Sequence, residues 1–104
     1  MRPHQWIDQR SLALHEAVAE RIAAQPELLE QARANLRRWL AAGDSPALQE
    51  WQQLLDSLPL AELLALLRSP DERAVRLRQS SPFAGILPPR ERQAILNRYE
   101  SRRP

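Results

Sequence analysis

The run from Gln25 to Leu40, QPELLEQARANLRRWL, constrains the fold more than any other stretch of the chain. Its apolar side chains fall at Leu28, Leu29, Ala32, Leu36, Trp39 and Leu40. That spacing makes one wide stripe on an α-helix and cannot be read as the alternation of a strand. Pro26 suits a first helical turn, where its missing N–H costs no bond. Glu27 and Glu30 sit near the positive end of the helix, and Arg37 and Arg38 near the negative end. Pattern, propensity and charge agree, so this helix is predicted to be the element around which the others pack.

The flanking segments follow the same logic. Residues 1–7 are read as an N-terminal arm, with Trp6 and Ile7 ahead of a helix cap at Asp8 and able to staple the arm to the body. A first helix is predicted over Gln9–Ala24, with Ala13, Leu14, Ala17, Val18 and Ile22 inward. It turns through Gln25-Pro26 into the central helix, so the two are expected to form an antiparallel hairpin. Gly43 is expected to end the second helix in the left-handed conformation.

Ser45-Pro46 then reads as a cap followed by a first-turn proline, opening a helix over Pro46–Ser57 that buries Leu48, Trp51 and Leu55. Pro59 restarts the chain for a short helix carrying Leu60, Leu63, Leu64 and Leu67. In LPLAELLALL, residues 58–67, the only charge is Glu62. This segment belongs either to the core or to a partner interface. Ser69-Pro70-Asp71-Glu72 has the form of a capping box and opens a fifth helix to about Gln79, on which Glu72 and Arg76 are spaced to pair.

Periodicity stops at QSSPFAGILPPRER, residues 79–92, read as an ordered loop that plugs Phe83, Ile86 and Leu87 into the body. A last helix over Pro89–Tyr99 turns Ile95, Leu96 and Tyr99 inward, and Ser101–Pro104 forms a flexible tail. The expected fold is therefore all-α, a compact bundle of five to six short helices in a single domain spanning residues 1–104.

Composition narrows the function more than it defines it. The chain has no cysteine, which excludes disulfides, thiolate metal sites and cysteine nucleophiles. No apolar run approaches the roughly 20 residues a membrane-spanning helix needs. The N-terminus lacks the apolar core of a signal peptide. A cytoplasmic location is the expectation. His4 and His15, the only histidines, have no ligand spacing, and no metal or cofactor is called for. Ser11, His15 and Glu16 crowd one helix without the geometry of a triad, and no phosphate-binding glycine pattern occurs. A non-enzymatic role follows.

All 15 basic residues are arginines, and they are uneven. Residues 1–67 hold six against nine acids, and residues 68–104 hold nine against four. The aromatic residues Trp6, Trp39, Trp51, Phe83 and Tyr99 stand among these arginines, and aromatic and arginine side chains are favoured interface anchors. The expected function is a protein-interaction module that occludes a partner's surface, anchored by Trp6, Phe83, Arg90 and Arg92. The alternative is a DNA-binding repressor using Arg73, Arg76, Arg78 and Arg90 of the arginine-rich C-terminal third. Against it, PALQEWQQLLDSL, which follows the helix-turn-helix-like AAGDSP turn, holds no basic residue. Association with a second copy of the chain stays open.

The blocks DQRSLALHEAVAERI (8–22), QPELLEQARANLRRWL (25–40) and RQSSPFAGILPPRERQAI (78–95) resemble a family of small uncharacterised bacterial all-helical proteins. Genes of that family neighbour one for a nucleotidyltransferase-like or toxin-type protein. The resemblance implies an antitoxin or accessory subunit that binds a protein encoded nearby. It carries over no catalytic residue.

Overall fold

Pro3, not Asp8, begins the first helix. In the computed structural model, which describes residues 2–104, α1 runs Pro3–Ala24 and is the longest element. The proline occupies the first helical position, where its ring presets φ. The Arg2 N–H, left without a helical partner, donates to Gln5 Oε1 at 3.2 Å. Residues 3–7 are thus helix and not an arm, and Asp8 lies inside it.

A single 3-10 turn, Pro26–Leu28, connects α1 to α2 (Leu29–Ala42). There follow α3 (Pro46–Ser57), α4 (Leu60–Arg68), α5 (Glu72–Arg78) and α6 (Pro89–Glu100). The bundle is all-helical and compact, with a radius of gyration of 13.7 Å, close to the roughly 13 Å expected of a folded chain of about 100 residues.

The hub is α1, not α2. α4, α5 and α6 all pack on it, while α2 packs mainly on α3. Trp6 Nε1–H donates to the Tyr99 carbonyl at 2.7 Å, and Arg21 pairs with Glu91 at 2.6 Å. These two contacts run α6 antiparallel along α1. On the other side, Arg33 bonds both Asp56 and the Leu55 carbonyl at 3.0 Å, closing α2 and α3 into an antiparallel pair. In the expected α1–α2 hairpin the two helices make few close contacts with each other; the 79–88 loop bonds to both, through Ser81 to His15 and through Pro82 and Ala84 to Asn35.

Local signals explain most of the boundaries. Ser45 Oγ accepts the Leu48 N–H and caps α3, and Pro46 follows at its first position. At α5 the cap is Asp71 rather than Ser69: its carboxylate accepts the Ala74 N–H at 2.8 Å, while Ser69 Oγ accepts the Asp71 N–H. Gly43 ends α2 with φ 167° and ψ 148°, an extended backbone and not the expected left-handed turn. Only Gly85, at φ 86°, has a positive φ that favours glycine. The expected Glu72–Arg76 pair gives way to a cross-helix one. Glu50 of α3 offers both carboxylate oxygens to Arg76, at 2.9 and 3.2 Å, a forked geometry the i,i+4 neighbour lacks.

One core joins all six helices and the loop. Val18, Ile22, Leu36, Trp51, Leu63, Leu67, Leu77, Phe83 and Ile95 belong to it. The Leu-rich segment mostly turns inward: Leu63 and Leu67 are buried, Leu58, Leu64 and Leu66 are half-buried against the core, and Leu60 alone of its leucines is exposed. Among the described residues no helix is long and apolar enough to cross a membrane.

Candidate interaction surface

Three buried polar side chains, from three different helices, hold the segment that joins α5 to α6. Asn35 on α2 is 1% exposed. Its Nδ2 donates to the Pro82 and Ala84 carbonyls, each at 2.8 Å, and its Oδ1 accepts from Gln31 at 3.0 Å and Arg38 at 3.1 Å. Every bond that an amide side chain can readily make is made. Trp51 on α3 sends its Nε1–H to the Leu77 carbonyl at 2.8 Å and meets the Phe83 ring edge-on, 5.3 Å between centroids.

His15 on α1 supplies the third hold. The Ser11 carbonyl, 2.7 Å from Nδ1, can only accept, so Nδ1 carries the proton and Nε2 is the acceptor. Ser81 Oγ–H therefore donates to Nε2 at 2.7 Å, and the same Oγ accepts the Phe83 N–H at 3.3 Å. Burial pushes the imidazole pKa from 6.5 down to about 4; the Ser11 bond opposes this shift and the nearby Arg78 charge adds to it. A serine bonded to a histidine is the beginning of a nucleophilic site. Here the ring is oriented by a main-chain carbonyl, and a base with so low a pKa draws little proton density from an alcohol. The bond secures the loop. Among the described residues no three His, Asp or Glu side chains gather as metal ligands.

The residues expected to anchor a partner divide. Trp6 is 7% exposed and Phe83 4%; both are spent within the fold, which removes them as free anchors. Trp6 is held by Tyr99 and overlain by two guanidiniums, Arg10 at 4.6 Å and Arg103 at 5.9 Å from the ring centroid. Phe83 fills the space between His15 and Trp51. Arg90 and Arg92 are exposed at the start of α6. Arg92 borders an open hollow beside His15, Ser81 and Gly85 that Arg90 does not reach.

Of the four arginines of the nucleic-acid alternative, two are engaged within the fold. Arg76 is paired with Glu50, and Arg78 is 5% exposed with its Nη1 donating to the Ser69 carbonyl at 2.6 Å. Arg73 and Arg90 remain exposed, on different helices.

One of the surface hollows follows the seam between α1 and α5. A groove of about 260 Å³ lies there, with the apolar side chains Ile7, Leu14 and Val75 among the polar and charged Asp8, Arg10, Ser11, Arg78 and Gln79. It adjoins a second hollow of about 210 Å³ that shares Asp8, Val75 and Arg78 and adds Leu12 and Pro70. Ile7 is 48% exposed, one of only two large apolar side chains that are exposed among the described residues. Composition and pattern do not point to Ile7 and Arg78 as neighbours; on α1 Ile7 has Arg10 and Ser11 at three and four residues on, and its apolar neighbour at helical spacing is Leu14. Comparison of the chain with protein-family models, with curated proteins and with solved structures finds no match.

Proposed function

We propose that the chain is a non-catalytic protein-interaction module, an antitoxin or accessory subunit that works by covering part of a partner protein encoded nearby. The observation that carries this reading is Ile7, left 48% in solvent on the helical turn that also bears Trp6 and Arg10, at the mouth of the α1–α5 groove. An apolar side chain framed by arginine and aromatic groups is the composition of an interface centre. The side chains with catalytic potential support the same reading, since His15 and Ser81 spend their bonds on the loop.

The second reading, a DNA-binding repressor, draws on Arg73 and Arg90, exposed and without a carboxylate partner among the described residues. One experiment separates the two. The tagged chain is recovered from host cells at low and at moderate salt, and both protein and nucleic acid in the eluate are identified. A protein at equal stoichiometry that survives moderate salt is the expected result. Retained DNA that dissolves away with salt, and no protein, moves the function to the arginines. An empty eluate at both salts refutes the interaction reading.

A further inference from the structure

The start of α1 and the end of α6 meet. Trp6 Nε1–H donates to the Tyr99 carbonyl, and just beyond it the chain turns, with the Arg102 and Arg103 N–H groups donating to the Tyr99 and Glu100 carbonyls. The Arg103 guanidinium lies 5.9 Å from the centre of the Trp6 ring, and that of Arg102 lies 5.3 Å from the Tyr99 ring. Arg98 stands one turn before Arg102, and Arg2, whose carbonyl accepts the Trp6 N–H, one turn before Trp6. All four of these arginines are exposed, while half-buried Arg10 closes over Trp6 at 4.6 Å. The charge of the protein is concentrated here. Residues 2–10 and 98–103 hold five of the 15 arginines and two of the 13 acids, Asp8 and Glu100. The rest of the chain holds ten arginines against eleven acids, so the net positive charge resides at this end. Asp8 lines the α1–α5 seam, and Glu100 meets Arg103 at 3.3 Å with both side chains about two-thirds exposed. A pair so exposed holds its arginine weakly.

We propose that this α1–α6 end binds the phosphate backbone of double-stranded DNA through Arg2, Arg98, Arg102 and Arg103. The site goes beyond the interaction reading and uses neither Ile7 nor Arg73 and Arg90. The choice of a polyanion rests on what this surface lacks. A protein interface is centred on apolar area. Here Trp6 is 7% exposed and Tyr99 half-buried, and the exposed Ile7 lines the α1–α5 groove instead. What remains accessible is guanidinium, the group whose fork of N–H donors fits phosphate oxygens. Arg102 and Arg103 already rest on aromatic rings, so they lose less freedom on contact. The same burial selects a duplex over a single strand. Single strands are held by bases stacked on open aromatic faces, and Trp6 offers none. A duplex keeps its bases paired and turns its phosphates outward. Contacts to the backbone alone carry no sequence preference.

The test is fluorescence anisotropy of a fluorescein-labelled DNA duplex of about 20 base pairs, titrated with the full chain from about 50 to 200 mM salt. Four arginines on phosphates give log affinity a slope of about −3.6 against log salt, a fall of about 150-fold over that range. The triple variant Arg98→Gln, Arg102→Gln, Arg103→Gln brings the slope to about −1 and weakens binding at the lowest salt by about tenfold or more. Arg98→Gln alone, at an exposed position that leaves both rings covered, lowers the slope by about one even where the triple variant is unstable. Binding that ignores salt, or is absent at low salt up to about 100 µM protein, overturns the proposal. So does a triple variant that binds like the parent, or an equal loss in Arg73→Gln with Arg90→Gln. Poly-L-glutamate that displaces the duplex as well as unlabelled duplex of equal charge overturns it in favour of an acidic protein. Tighter binding of the single strand overturns the choice of duplex. None of these outcomes bears on recovery of a protein partner, which tests the interaction reading separately.

Discussion

Replacing Asn35 by alanine tests the central structural argument. The side chain is 1% exposed and gives both amide hydrogens to carbonyls of the loop, Pro82 and Ala84, at 2.8 Å. Alanine leaves both acceptors without a donor. A buried acceptor stripped of its partner costs about 1–3 kcal/mol; the Ala84 carbonyl is nearer solvent and belongs at the low end. The donors on the other side, Gln31 and Arg38, are exposed and return to water at little cost. The sum is about 3 kcal/mol, a large part of the roughly 5–15 kcal/mol that a domain of this size has. It corresponds to a melting temperature lower by about 15 °C. Urea unfolding followed by far-UV circular dichroism gives the difference directly, provided the denaturant slope is unchanged. Asn35→Asp keeps the shape but turns one carboxylate oxygen toward the two carbonyls, and loses more than alanine does at neutral pH. A loss below about 1 kcal/mol for Asn35→Ala refutes the claim that this residue holds the loop.

Other consequences are separable. The pKa of His15 is lowered from 6.5 to about 4 in the folded chain, so between those values the unfolded state binds more protons. Stability falls by about 3 kcal/mol as pH drops through that window, and His15→Gln flattens this part of the pH profile in urea unfolding. Gly85→Ala forces a side chain to φ 86° with ordinary contact to Gln31, and costs about 1–2 kcal/mol from backbone strain. Gly43→Ala meets nothing within 4 Å and leaves the melting temperature within a few degrees or raises it. Trp51→Phe removes the donor to the Leu77 carbonyl and part of the buried ring, and lowers stability by about 2–3 kcal/mol in the same assay.

What the sequence made legible is what is local. Ser45-Pro46 placed α3 at Pro46–Ser57 because cap and first-turn proline act within four residues, and the structure has those boundaries. The loop over 79–88 was readable from its prolines, and Phe83, Ile86 and Leu87 are buried as the pattern implied. The hub was not readable, for a physical reason. A helix in contact on one side shows a sharp stripe, as α2 does. A helix touched by α4, α5 and α6 spreads its contacts around its circumference and blurs its periodicity. The start of α1 was missed because Pro3 and Asp8 are both start signals, and the pattern alone does not rank them. The expected anchors failed at Trp6 and Phe83 because an aromatic residue beside arginines has the same appearance whether its ring faces a partner or another helix. Asn35 and His15 did leave a signal: each is a polar residue on a buried stripe, Ala32–Asn35–Leu36 and His15–Val18–Ala19–Ile22. Such a position implies an obligatory hydrogen-bond partner, but the sequence does not say which.

The loop clamp and the groove are one construction. A proline-rich segment has carbonyls in excess of N–H groups, so it cannot satisfy itself by forming a helix or strand. It needs donors from elsewhere. Side chains on three helices supply its partners: Asn35 donates to the Pro82 and Ala84 carbonyls, His15 accepts from Ser81, and Trp51 donates to the Leu77 carbonyl where α5 ends. Leu77 is also the penultimate residue of α5. Fixing the loop therefore fixes where α5 ends, and with it the line along which α5 meets α1. Apolar packing alone tolerates sliding of one short helix on another, whereas directional bonds at 2.7–2.8 Å do not. A seven-residue helix has little stability of its own, so the position of Val75 and Arg78 opposite Ile7 is inherited from bonds made on the far side of the core. The buried polar residues thus define the seam between α1 and α5, and the apolar core supplies most of the energy that keeps it folded.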